Sequence, residues 1–218
     1  MLRKIHKKER LIFAKELLEK TQSFWENVLW KDDTKIELFG NAHQQFVYRQ
    51  RNEAYDENNT LQGLKHGGGS IMLWGCFAAS GTGGLDRITG IMKSENYQEI
   101  LERNVLPSRR QLGLRRSWVL QQQKDPKHTS KSMQEWLKRI NGLVLKWPAM
   151  SPDLNPIENL WGERKSAIGE NNPADIQELE QIAKEESEKI PEKCRKLIDG
   201  YKKRLEAVIT AKGCSTKY

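Results

Sequence analysis

Apolar positions along the chain switch repeatedly between helical and alternating spacing. Between residues 2 and 20, Leu2, Ile5, Ile12, Phe13, Leu17 and Leu18 recur at loosely helical intervals among lysines, which predicts a basic surface or linker helix. β-rich runs follow at 27–30 (NVLW), 34–40 (TKIELFG) and 46–49 (FVYR), with Lys31, Asp32 and Asp33 between the first two; they predict an antiparallel meander. Glycines in KHGGGS and SGTGG bracket IMLWGCFAA (71–79), and LDRITGIM follows, so 66–92 reads as a glycine-bounded hairpin. Farther on, Tyr97, Ile100, Leu101 and Val105 mark one face of a helix expected to stop before Pro107, and SWVLQ (117–121) reads as a buried strand. Met133, Trp136, Leu137 and Ile140 have i, i+3, i+4, i+7 spacing, and LVLKW (143–147) is another short strand. Three helices are expected from about Pro156, Pro173 and Pro191, since a first helical turn tolerates proline; the last carries Cys194, Leu197, Ile198, Tyr201, Leu205 and Val208.

A meander followed by alternating helices and strands predicts an α/β fold with a mixed sheet flanked by helices. The expected organisation is a basic linker helix at 1–22, a main domain at 23–170 with 66–92 as a glycine-rich hairpin insertion, and C-terminal helices at 171–218 packed on the same domain. A chain of 218 residues, 37% hydrophobic and 30% charged, is long and apolar enough to bury one substantial core. Thirty-seven Lys and Arg against 29 Asp and Glu leave a formal charge of +8, which favours a polyanionic partner or simply a solubilising surface. Cys76, Cys194 and Cys214 are odd in number and unpaired in spacing, suggesting neither a disulfide framework nor a zinc site. No apolar run reaches the roughly 20 residues that a bilayer span needs, so an intracellular protein without membrane partners is expected. The glycines are turn chemistry rather than a phosphate loop, because the GKS or GKT ending is absent.

Two acids have ordinary readings from spacing alone. Asp32 between two strand runs reads as a turn residue. Asn155 and Glu158, three apart around Pro156, read as a capping box on the helix that contains Trp161. His128 follows a strand and reads as a structural hydrogen-bonding residue, and Asp125 as a cap on the helix that follows.

The strings FWENVLW, TKIELFG, KHGGGSIMLWGCFAA, DPKHTSK, SPDLNPIENLW and GYKKRL with its terminal TKY resemble the DDE transposases of the Tc/mariner superfamily, in the Sleeping Beauty-like branch. The resemblance runs almost end to end. It implies an RNase H-like catalytic fold in which Asp32 and Glu158 match the first and third catalytic, metal-binding acids. The second acid falls just before KDPKHTS, where this chain has Gln123, and the 34 residues from Lys124 to Ile157 match the family spacing between second and third acids. Relatives resembling this chain carry serine at Lys31, glutamate at Asp33 and asparagine at Lys124, so two lysines beside the site are expected to repel metals while attracting phosphate. The family also carries N-terminal helix-turn-helix subdomains, for which this sequence offers no recognition helix.

Phosphodiester cleavage and joining by this chemistry uses two Mg²⁺ (or Mn²⁺) ions held by anionic oxygens, one activating the attacking oxygen and one stabilising the leaving oxygen. With Gln123 one anionic ligand is missing, and Asp125 is expected about 6.6 Å too far along to replace it. The expectation is therefore a transposase-derived, DNA-binding domain with impaired catalysis. The alternatives are an active metal-dependent nuclease or strand transferase, a protein-interaction module, and a decaying transposable-element remnant. DNA bound without sequence preference is the expected partner, with Arg109, Arg110, Arg115, Arg116 and Lys127 as candidate phosphate contacts, and self-association or other transposase copies as further partners. The resemblance places the protein in the nucleus.

Overall fold

A computed structural model describes residues 2–38, 69–90, 94–123, 131–140 and 142–218. The element order is α1 (Lys4–Leu17), α2 (Gln22–Glu26), β1 (Val28–Glu37), β2 (Ser70–Ala78), β3 (Gly81–Ile88), α3 (Ser94–Gln111), β4 (Val119–Gln122), α4 (Lys131–Arg139), β5 (Leu143–Lys146), a 3-10 turn (Pro152–Leu154), α5 (Ile157–Asn171), α6 (Ile176–Glu188), α7 (Pro191–Asp199) and α8 (Tyr201–Thr210). Five strands form one sheet in the order β3-β2-β1-β4-β5. β1 pairs antiparallel with β2, and β2 with β3, while β1–β4 and β4–β5 are parallel. β1 is the central strand, with β2 on one side and β4 on the other.

Side-chain alternation along these strands divides the core in two. Val28, Trp30, Ile36, Ile71, Leu73, Phe77 and Val119 face a layer built from α1 and α5–α8. Leu29, Trp74, Cys76, Ala78 and Leu120 face α3 and α4, meeting Tyr97, Leu101, Val105, Met133 and Trp136. The result is helices on both faces of a mixed sheet, as the alternating pattern predicted.

Several elements differ from the sequence expectation. The runs at 27–30 and 34–40 are one continuous strand, β1, so Asp32 is not a turn residue; ladder pairs from Trp30–Phe77 to Glu37–Ser70 carry the strand straight through the polar triplet. The glycine-rich hairpin is not an excursion but supplies the sheet's β2 and β3. The run at 46–49 lies outside the described residues. α3 continues through Pro107, and Ser108, the residue after it, is buried. Ser108 Oγ accepts the Gly84 N–H at 2.8 Å, tying the helix to β3. The single helix expected from Pro191 is broken into α7 and α8 at Gly200, whose N–H caps α7 on Lys196 O.

The N-terminal basic helix is fastened to the domain. Phe13 and Ala14 are buried, and fully buried Arg10 forms a bidentate pair with Asp153 at 2.6 Å per arm while also donating to the carbonyls of Gly213 and Cys214. Asp153 accepts from Thr216 as well, and Arg204 donates to the Asp153 carbonyl, so both chain ends converge on the turn preceding α5. Among the described residues no helix is long and apolar enough to cross a membrane.

Candidate active site

Asp32 sits in the middle of β1, buried, on the sheet face covered by α5–α8. The parallel register Val28–Val119 and Leu29–Leu120, extended along both strands, brings Gln123 level with Asp32 on the same face. Ladder pairing between β1 and β4 is confined to those first two positions; beyond them the Lys31 N–H is taken by the Gln121 side-chain Oε1 at 3.4 Å. The two strands thus carry Asp32 and Gln123 into side-chain contact: Gln123 Nε2 donates to Asp32 Oδ2 at 2.7 Å.

The third wall is the start of α5. Its approach depends on Gly75, the β2 residue paired with Asp32, because a Cβ there would meet the Trp161 ring at 2.8 Å. With Trp161 seated over Gly75, the first turn of α5 lies over the polar stretch of β1. Asn155, fully buried just before that turn, donates its Nδ2 to Asp32 Oδ2 at 2.8 Å. Glu158 is exposed in the first turn, where the helix N-terminus favours an anion. The capping-box reading of Asn155 and Glu158 does not hold: Pro156 is the N-cap of α5, no side chain caps it, and Asn155 is spent on Asp32.

Asp32 therefore receives three hydrogen bonds, two amide N–H groups on Oδ2 and the Asp33 backbone N–H on Oδ1 at 2.8 Å. Burial pushes its carboxyl up to about 7, against the pull of Lys31 and the Asp33 N–H, with the negative charges of Glu158 and Asp33 adding to the rise. Glu158 is also raised, by partial desolvation and the charge of Asp33, against the pull of Lys165. The Glu158 charge thus reaches Asp32, and both acids feel the charge of Asp33.

Lys31 is not where a phosphate-attracting lysine beside the acids was expected. Strand alternation sends it to the opposite face of the sheet, where it is buried, donates to the Tyr97 hydroxyl and lies 5.1 Å from that ring's centroid. Of the candidate phosphate contacts, Arg110, Arg115 and Arg116 are exposed around the end of α3 and the turn into β4; Arg109 instead stacks on Trp118 at 5.6 Å. Arg115 also donates to Ser23 Oγ at 3.0 Å. Lys124, Asp125, Lys127 and His128 lie outside the described residues. Sequence reasoning missed Asn155 as a partner of Asp32; its only signal was a helix start at Pro156 that needed no cap.

The donor set can be tested against a two-ion centre. Anionic oxygens come from Asp32 and Glu158 alone among the three positions, and both lone pairs of Asp32 Oδ2 already accept amide N–H groups. The other oxygens are Asp32 Oδ1, which already accepts one bond, the Glu158 carboxylate, and two neutral amide oxygens, Gln123 Oε1 and the buried Asn155 Oδ1, the latter without a hydrogen-bond partner. Among the described residues no group of three or more His, Cys, Asp or Glu is placed to hold a metal ion. This set does not fit two hard cations, which need shared anionic ligands.

A mixed sheet of this order, with one acid on its central strand and another at the start of the helix beyond the last strand, is that of an RNase H-like fold. Residues 27–180 match the family described as DDE superfamily endonuclease, and the chain belongs to that family, within the Tc/mariner transposases. It is 39% identical over 219 residues to the transposable element Tcb1 transposase of Caenorhabditis briggsae, covering 98% of this chain and 78% of that one. The fold matches the Mos1 transposase in its paired-end complex with the left transposon end, with a TM-score of 0.83 at 21% identity, covering all of this chain and 64% of that one. It also matches all of the Mos1 catalytic domain solved with raltegravir and Mg, with a TM-score of 0.71 at 19% identity.

Proposed function

We propose that this domain holds DNA through its phosphates, within the nucleus, and that its DNA cleaving and joining chemistry is strongly impaired. The observation that carries the reading is the Gln123 amide donating to Asp32 Oδ2 at the position of the second family acid. A neutral amide in place of a carboxylate removes one negative charge from the ground that Mg²⁺ or Mn²⁺ would share. A loss of about 3 to 5 kcal/mol of transition-state stabilisation slows the reaction by roughly two to four decades. DNA affinity does not require that centre. It rests on the +8 charge and the exposed Arg110, Arg115 and Arg116, contacts that carry no base information and give binding without sequence preference. The Tcb1 and Mos1 relatives, transposases by name, support the choice of DNA as the polyanion.

The test is nicking of supercoiled plasmid by the natural protein, Gln123→Asp, and Gln123→Asp combined with Glu158→Gln, in Mg²⁺ and in Mn²⁺. The natural protein is expected at background, Gln123→Asp to nick slowly, and the double variant to fall back. Metal-dependent nicking by the natural protein that Glu158→Gln abolishes would overturn the impaired reading.

A further inference from the structure

The misfit between this donor set and a metal centre has a positive side. A group of facing carboxylates is a liability in a metal-free protein, since like charges at close range repel and each must be desolvated. Here the same place is self-complementary. Asp32 on β1 takes hydrogen bonds from Gln123 just beyond β4 and from Asn155 at the threshold of α5, so one carboxylate oxygen ties together three separate parts of the chain. The contact is buried at Asp32 and Asn155, where such bonds are strongest. It also lies where the sheet most needs a tie, because ladder pairing between β1 and β4 is confined to Leu29–Leu120 and the position before it.

We infer that Gln123, Asp32 and Asn155 form an amide–carboxylate clamp that holds β1, β4 and the start of α5 together without a metal ion. The two amide N–H groups supply the positive ends that a cation would otherwise supply. Gln123 is thereby a structural gain rather than a vacant ligand position. The inference rests on reading this site as the altered acid centre of a DDE domain, and its test is independent of nucleolytic activity.

Thermal unfolding at pH 8 in EDTA, in Mg²⁺ and in Mn²⁺ distinguishes the cases. The natural protein is expected to melt at the same temperature in all three. Gln123→Asp sets a second carboxylate against Asp32; its melting temperature is expected to fall by about 5 °C in EDTA and to recover when either ion is added. Stabilisation of the natural protein by metal as large as that of the variant would overturn the clamp, as would a variant equally stable in EDTA. Should Gln123→Asp fail to fold, the natural protein decides alone: the side-chain NH₂ signals of Gln123 and Asn155 are expected to stay sharp in ¹⁵N spectra at equimolar Mn²⁺. Selective broadening of both signals would mean that an ion occupies the site and that the clamp is wrong. Plasmid nicking by the natural protein, by contrast, would sink the impaired reading and leave the melting result to judge the clamp.

Discussion

Gln123 stands level with Asp32 in the parallel register of β1 and β4 and donates to its Oδ2 at 2.7 Å, so the residue expected in the place of a second acid is bonded to the first candidate acid. In a three-acid centre the same geometry would set two carboxylates in apposition, each requiring a cation to stay ionised together. In this chain a neutral donor occupies the second place, and Asp32 can be buried without one.

Asp32 makes stability depend on pH in an unusual direction. Its carboxyl is raised from 3.8 to about 7, chiefly by burial, so between these values the folded state keeps a proton that the unfolded state has released. Its contribution to stability is therefore full below about pH 4, falls as pH rises towards 7, and stays lost above; three pH units correspond to at most about 4 kcal/mol. Urea unfolding from pH 4.5 to 8 is expected to show this decline relative to Asp32→Asn. Lys31→Met, which removes a charge that lowers Asp32, is expected to push its midpoint higher still in a carboxyl ¹³C titration. A natural protein whose stability tracks that of Asp32→Asn at every pH would contradict both.

Gly75 sets the seat of α5. Gly75→Ala places a methyl group 2.8 Å from the Trp161 ring and 3.2 Å from Leu85 Cδ1, and is expected to cost about 1 to 3 kcal/mol. Trp161→Phe removes the ring atoms that clash, so the double variant should be more stable than the sum of the two single losses predicts. Strict additivity in denaturant melts would show that Gly75 is not the contact that positions the helix.

The Arg10–Asp153 pair is a buried one, with side chains 0% and 9% exposed. Burial raises Asp153, but the Arg10 and Thr216 donors outweigh it and hold the carboxyl below its usual range. Asp153→Ala strands the Arg10 guanidinium in the core and is expected to cost about 3 to 5 kcal/mol. It also frees the C-terminal segment that Asp153 anchors through Thr216, so limited proteolysis should cut near residues 213–218 faster than in the natural protein. Unchanged cleavage there would mean that the tail is held by its other contacts.

The DNA contact surface is testable by salt. Each phosphate contact contributes about −0.9 to the slope of log affinity against log salt on duplex DNA. Arg110→Ala with Arg116→Ala is expected to reduce the slope by about 1.8 and to weaken random and inverted-repeat duplexes equally. Arg109→Ala, whose side chain stacks on Trp118, should act on stability rather than on the slope. A slope indifferent to the arginine pair would move the DNA to another face.

Hydrophobic spacing was enough to determine the helix–strand alternation, the apolar faces of α3 and α4, and the helix starts near Pro156 and Pro191, because these follow from local periodicity and from the φ that proline fixes. The family strings put forward Asp32, Glu158 and Gln123 as the candidate site. What local sequence could not decide was everything that depends on a neighbour distant in the chain. Asp32 became a strand residue because β2 pairs across it, and Asn155 became its partner rather than a helix cap because α5 is seated by Trp161 over Gly75. Lys31 was turned away from the acids by the two-residue period of a strand that the sequence had split in two. The same triplet of polar residues reads as a turn or as a strand until tertiary pairing supplies its hydrogen-bond partners, and only then does each side chain acquire a face.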